Sequence, residues 1–213
     1  MKTHSLVLAI CVAAALSGCA SPDRSRALND PAVPARAIAE QVCSNCHGVD
    51  GNAVSPNFPR LAGQHPGYTR AQLTAFRTHG RSDPAGFEYM WGLSRHLTDA
   101  QIKGLADYFA AQVPAANAPG DAARVAAGRD VFEKGVPASN IPPCATCHGP
   151  GGLGTEAFPR LASQHADYLV KQLEVFRTTD QRPGGAVMKT IAHDLTHENI
   201  EAVAQYLQSL PPR

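Results

Sequence analysis

The chain has no cysteine to spare for a structural disulfide. Its six cysteines are Cys11, Cys19, Cys43, Cys46, Cys144 and Cys147; the last four form two tight pairs and the first two lie in a distinct N-terminal segment. A disulfide-stapled secreted scaffold is therefore excluded. Long hydrophobic runs are missing too: Leu6 to Leu16 spans 11 apolar residues, about half the ~20 that a membrane-spanning helix requires. The net charge is +1, the two halves balance to within one charge, and no basic stripe exists, so nucleic acid is not an expected partner. Aromatic residues make up 6 % of the chain, a thin supply for a core. No segment rich in β-branched residues reads as a strand.

Against these shortages stand two copies of one pentapeptide pattern, Cys43-Ser44-Asn45-Cys46-His47 and Cys144-Ala145-Thr146-Cys147-His148. Two thiols three positions apart each add across one vinyl group of a haem, and the adjacent histidine reaches the iron as an axial ligand. A structural zinc site is the first alternative, but its pairs lie about 15–20 residues apart, whereas 97 residues separate Cys46 from Cys144. A redox dithiol is the second, and it belongs at the mouth of a βαβ unit, which neither pair has. The expected cofactors are two covalently bound haem c groups.

The N-terminus has the grammar of an export signal, with Lys2, the apolar run and then Leu16-Ser17-Gly18-Cys19. The ending resembles a bacterial lipobox, which makes Cys19 a lipidation site; an ordinary secretory signal with a chance cysteine is the alternative. Residues 1–18 are read as signal peptide and 19–32 as a flexible, proline-containing tether. Covalent haem attachment and export imply one destination, a periplasmic protein anchored to a membrane by lipid.

Beyond the tether the chain is a duplication. At an offset of 100, Phe58-Pro59-Arg60-Leu61-Ala62 and Gln64-His65 match Phe158-Pro159-Arg160-Leu161-Ala162 and Gln164-His165, followed by Tyr68/Tyr168, Gln72/Gln172 and Phe76/Phe176. Further on the offset is 98, pairing Met90 with Met188, Leu97-Thr98 with Leu195-Thr196, and Tyr108 with Tyr206. The uncharged segment 114–120 is a linker, giving domains at 33–113 and 121–213. Periodicity is helical throughout. Thr98 and Gln101 form a capping-box pattern before a stripe of Ile102, Leu105, Phe109 and Val113, and Thr196 precedes Ile200, Val203, Leu207 and Leu210. Asp121 caps a run whose Val125, Gly128 and Phe132 share a face, with Gly128 suited to a close helix crossing. The fold class is all-α, two tandem domains each wrapped around a haem that supplies the apolar bulk a half of this size lacks.

The sixth iron ligand separates a carrier from a catalyst. Apart from the initiator, Met90 and Met188 are the chain's methionines, one per half, each in what reads as a loop before the last helix. They are the expected thioether ligands opposite His47 and His148. His65 and His165 also repeat and are the rivals, for bis-histidine ligation; His79, His96, His193 and His197 have no equivalents at matching positions. Pro59 and Pro159 are candidates to offer a carbonyl to the proximal histidines. Arg60 and Arg160 are candidates to pair with haem propionates, with solvent exposure as the alternative.

The twin CxxCH motifs, the Phe-Pro-Arg-Leu-Ala-x-Gln-His…Tyr…Gln-Leu…Phe-Arg blocks and the late Met…Leu-Thr…Tyr blocks resemble the dihaem cytochromes c4, over residues 33–213. The resemblance implies two class I cytochrome c domains packed through their haem-edge faces, irons held by His47 with Met90 and by His148 with Met188, and single-electron transfer without bond chemistry. It implies redox-protein partners: a terminal oxidase, or an upstream cytochrome or dehydrogenase. The alternatives are a permanent cytochrome subunit of a dehydrogenase, such as a flavocytochrome oxidising reduced sulfur, and a dihaem peroxidase with a displaceable ligand. Two departures stand out. Ala35 replaces the glycine usual at the helix crossing, which predicts looser packing in the first half, and Phe87-Glu88-Tyr89-Met90-Trp91 crowds the first methionine with bulk.

Overall fold

The computed structural model describes residues 22–84, 86–155 and 157–212, so the signal segment and Cys19 lie outside the described residues. Helix accounts for all of its regular structure; among the described residues the sole β-type pairing is an isolated bridge between Val136 and Ile141. No helix among them is long and apolar enough to cross a membrane.

Each half repeats one plan. In the first, α1 (Ala35–Ile38) runs on through a π-helical turn, Ala39–Cys43, into the motif turn Ser44–His47. Helix α2 is Pro66–Arg77 and α3 is Asp99–Ala110. In the second, α4 (Ala122–Lys134) precedes the motif turn Ala145–His148, followed by α5 (Ala166–Thr178), α6 (Ala186–Ala192) and α7 (His197–Ser209). The starts obey local chemistry. Thr98 and Thr196 each close a capping box, with Gln101 and Asn199 respectively, and the Asp121 carboxylate accepts from the Arg124 N–H. Ile102, Leu105 and Phe109 are buried as their spacing predicts, as are Ile200, Val203 and Leu207. Val113 is not: α3 ends at Ala110, and the residue is 81 % exposed. Pro114 disfavours helix at the residue before it, so the stripe stops one turn early.

Two separate cores result, one around Ile38, Leu105 and Phe109, the other around Phe132, Ile200 and Leu207. In both, the last helix crosses the helix that precedes the haem motif, α3 over α1 and α7 over α4. A Cβ on Gly128 would lie 2.0 Å from the Ala202 carbonyl oxygen, so α4 and α7 touch backbone to backbone. The first half is not loosened by Ala35, contrary to the expectation from sequence. There the glycine sits on the other helix: a Cβ on Gly104, the counterpart of Ala202, would lie 2.6 Å from the Ala35 Cβ. Either helix of the pair satisfies a close crossing by giving up its side chain. Gly128→Ala is therefore expected to cost about 1–3 kcal/mol by overpacking, seen as a lower urea midpoint for the second half.

The segment before α1 is less free than a tether. Val33 is buried, Leu28 packs against the first core, and the Gln101 amide donates to the Asp30 and Val33 carbonyls at 3.0 Å each. Arg26 Nε donates to the Gln41 carbonyl at 3.0 Å. The C-terminal end of the expected tether is docked because Leu28 and Val33 cover an otherwise open edge of a small core. The linker is also held, through Ala115 N–H to Asn52 Oδ1 and Gln208 Nε2 to the Ala118 carbonyl.

Candidate functional site

Each CxxCH turn ends at a glycine with positive φ, Gly48 at 77° and Gly149 at 73°, which turns the chain away once the histidine has been presented. The loop then folds back. Gly51, at φ 73°, accepts the Leu61 and Ala62 N–H groups on its carbonyl at 2.7 and 3.1 Å, and Gly152, at φ 66°, accepts those of Leu161 and Ala162 at 2.7 and 3.0 Å. A Cβ on Gly51 would come within 2.7 Å of the Ala62 nitrogen, so only glycine fits. This closure sets the Pro-Arg segments beside the histidines. His47 Nδ1 donates to the Pro59 carbonyl at 2.9 Å, and His148 Nδ1 to that of Pro159 at 3.1 Å. Burial holds both imidazoles below their usual pKa, against the opposing pull of those carbonyls. With Nδ1 donating to a carbonyl, Nε2 is left as the nitrogen that can ligate iron.

The cysteines suit covalent haem. Burial pushes the Cys43 thiol up to about 12 and that of Cys144 to about 11, so neither is poised as the thiolate of a reactive dithiol. A neutral S–H is the form that adds, sulfur and hydrogen together, across a vinyl double bond. Among the described residues no group of three or more His, Cys, Asp and Glu side chains is placed to hold a metal ion directly.

The methionines lie in helix rather than loop. Met90 ends a π-helical turn, Gly86–Met90, and Met188 lies within α6. Met188 packs against the second core, as do Cys144 and Leu161; Met90 is half-buried and its carbonyl accepts from Ser94 Oγ at 2.7 Å. The bulk flanking Met90 turns outward: Phe87 and Tyr89 are 50 % and 58 % exposed, Phe87 stacks on Trp91, and the Arg95 guanidinium covers Trp91.

The repeated histidines His65 and His165 are engaged across the seam between the halves. His65 Nε2 donates to the Leu153 carbonyl at 2.9 Å and His165 Nε2 to that of Ala53 at 2.7 Å. His165 Nδ1 accepts from Asn117 at 3.2 Å. His193 pairs with Asp194 and His197 with Glu174, both near the surface. The neighbouring glutamines bind backbone reciprocally: Gln64 holds Arg160, and Gln164 holds Arg60, through N–H and carbonyl alike. Arg60 is not simply solvent-exposed. One terminal nitrogen donates to the Ala115 carbonyl at 2.7 Å, while its buried Nε has no hydrogen-bond partner among the described residues. Arg160 is 7 % exposed.

Sequence reasoning missed a buried polar hub at the same seam. Arg81 binds Asp83 at 2.6 Å, with exposures of 7 % and 1 %, and reaches Gln72 and Gln172 at 2.9 and 3.0 Å. From the other half, Arg182 meets the same two glutamine oxygens at 2.9 and 2.5 Å and Tyr68 at 3.2 Å. Each guanidinium also covers its own half's phenylalanine, Phe76 at 4.5 Å and Phe176 at 4.4 Å. The repetition of Tyr68, Gln72 and Phe76 along one helix face was the available signal.

Comparison with known proteins matches this geometry. The profile of the family described as Cytochrome c covers residues 32–111 and 125–211, one match per half. A cytochrome c4 of Thiocapsa roseopersicina is 40 % identical over 82 % of this chain and 90 % of its own. A thiosulfate dehydrogenase electron acceptor of Stutzerimonas stutzeri is 37 % identical over 81 % of this chain and 80 % of its own. The crystal structure of reduced cytochrome c4 from Pseudomonas stutzeri superposes with a TM-score of 0.75 at 33 % identity, covering 85 % of this chain and 99 % of that one. With two CxxCH turns, two buried histidines held by proline carbonyls and two matched domains, the chain belongs to the cytochrome c4 family, electron-transfer proteins that carry two covalently bound haem c groups.

Proposed function

We propose that this protein is a periplasmic, lipid-anchored electron shuttle whose first iron is held by His47 and Met90 and whose second is held by His148 and Met188. The thioether bonds fall to Cys43 and Cys46 in one half and to Cys144 and Cys147 in the other. The carrying observation is the hydrogen bond from each buried histidine to a proline carbonyl, at 2.9 and 3.1 Å, which fixes the ligating tautomer in both halves alike. Bound haem supplies a one-electron iron couple, and a methionine ligand keeps its potential high. The chain's residues do the rest: Pro59 and Pro159 orient the histidines, the cores exclude water, and Arg60 and Arg160 are assigned to the propionates. The unpartnered, buried Nε of Arg60 is a donor suited to a carboxylate.

Anchoring falls to Cys19, and the electron acceptor is a terminal oxidase. A second reading, in which the chain takes electrons from a dehydrogenase oxidising reduced sulfur, is favoured by its likeness to the thiosulfate dehydrogenase electron acceptor. Rapid-mixing kinetics separate the two: reduction by thiosulfate with its dehydrogenase, against oxidation of the reduced protein by oxidase-containing membranes. For ligation, Met90→Ala and Met188→Ala are each expected to remove about half of the long-wavelength methionine–iron band of the oxidised protein, and the double variant all of it. A band that survives the double substitution overturns the ligand assignment.

A further inference from the structure

The peptide unit joining Pro59 to Arg60 is shared between the halves. Its carbonyl accepts the His47 Nδ1–H at 2.9 Å, and its N–H, on the opposite side of the trans amide, donates to Gln164 Oε1 at 2.9 Å. The Pro159–Arg160 unit does the same in mirror fashion: the carbonyl accepts from His148 at 3.1 Å, and the N–H donates to Gln64 Oε1 at 2.8 Å. Each glutamine amide nitrogen returns to the arginine carbonyl at 3.0 Å, and each Oε1 also takes the N–H of the following histidine at 3.0 Å. Both glutamines are buried. The peptide units that hold the two histidines are thus also the ones that the glutamines of the opposite halves bind.

We propose that each glutamine tunes the iron of the opposite half: Gln164 acts on the first haem and Gln64 on the second, through one peptide unit and one histidine. The inference rests on the assignment of His47 and His148 as iron ligands. An amide whose N–H is accepted shifts electron density onto its carbonyl oxygen, so consecutive hydrogen bonds strengthen one another, the more so in a buried, low-dielectric setting. A stronger acceptor draws the Nδ1 proton and makes the imidazole a better donor through Nε2. A better donor favours ferric iron and lowers the potential. Both glutamines are positioning residues: they act through the Pro–Arg peptide unit and the histidine that it holds.

The test uses the full-length holoprotein and optical redox titration. A Met188→His background lowers the potential of the second haem and leaves the first wave resolved. In that background Gln164→Leu is expected to shift the first haem's reduced-to-oxidised ratio about threefold toward reduced, a rise of about 28 mV at 59 mV per tenfold for one electron. Gln64→Leu, which by symmetry loosens the seam as much, leaves the first wave in place. In a Met90→His background the roles reverse. The His47 Nδ1 proton resonance of the reduced protein moves upfield in Gln164→Leu and stays put in Gln64→Leu. Gln164→Met and Gln64→Met, which keep side-chain length with no donor and only a weak sulfur acceptor, serve if the leucine variants do not fold. Equal shifts from both substitutions, a shift confined to the glutamine's own half, or no shift overturns the inference. If Met188→His and Met90→His separate no wave, the ligand assignment has failed instead.

Discussion

Asp83→Asn is expected to destabilise the protein by about 3–5 kcal/mol, because it strips the countercharge from a buried guanidinium. Asp83 is 1 % exposed and binds Arg81 with both oxygens, at 2.6 and 3.2 Å. Arg182 approaches the same cluster from the other half, so two cations share one carboxylate and two neutral glutamine oxygens. Asparagine leaves both cations and adds a donor where an acceptor stood. Denaturant unfolding gives the loss, and a cycle with Arg81→Met separates the pair from the stranded charge: the double variant should lose clearly less than the sum of the singles. Burial pushes the Asp83 carboxyl up, but the hydrogen bond and charge of Arg81, with Arg182 and Gln172, outweigh it and hold the group below its usual range. Its contribution is therefore complete above the unfolded value of about 3.9 and is lost as pH falls through the lower folded value. The stability gap between wild type and Asp83→Asn should narrow on acidification in that window. A gap that stays constant there means the carboxylate is not what the cluster depends on.

Cys144→Ala with Cys147→Ala is expected to leave one haem per chain and to unfold the second half. In that half Cys144, Leu161 and Met188 pack at the edge of the Phe132 and Leu207 cluster. A domain of this size buries too small a share of its surface to be secure without added apolar bulk. A pyridine haemochrome assay counts the haem, and far-UV circular dichroism should lose the helical signal of residues 121–213. The first half should lose stability as well, since the seam takes Gln164, His165, Gln172 and Arg182 from the second. Retention of native helicity with one haem would show that the second core stands on protein contacts alone.

The sequence by itself determined what is local. Two thiols and a histidine within five residues name covalent haem whatever surrounds them, and capping threonines with apolar spacing place the last helix of each half. Comparison of the halves found the paired methionines and the repeated Gln-His and Tyr…Gln…Phe blocks. It did not say what those blocks are for. Gln64 and Arg160, or Gln72 and Arg182, are about a hundred residues apart, and no periodicity reports a contact that depends on how two folded bodies dock. The same limit hid the exchange of the crossing glycine from one helix to the other, because a crossing needs one small residue and does not specify which helix carries it. Tertiary structure alone decided that the repeated histidines and glutamines face each other across a seam, where burial makes every polar atom seek a partner and the nearest partners belong to the other half.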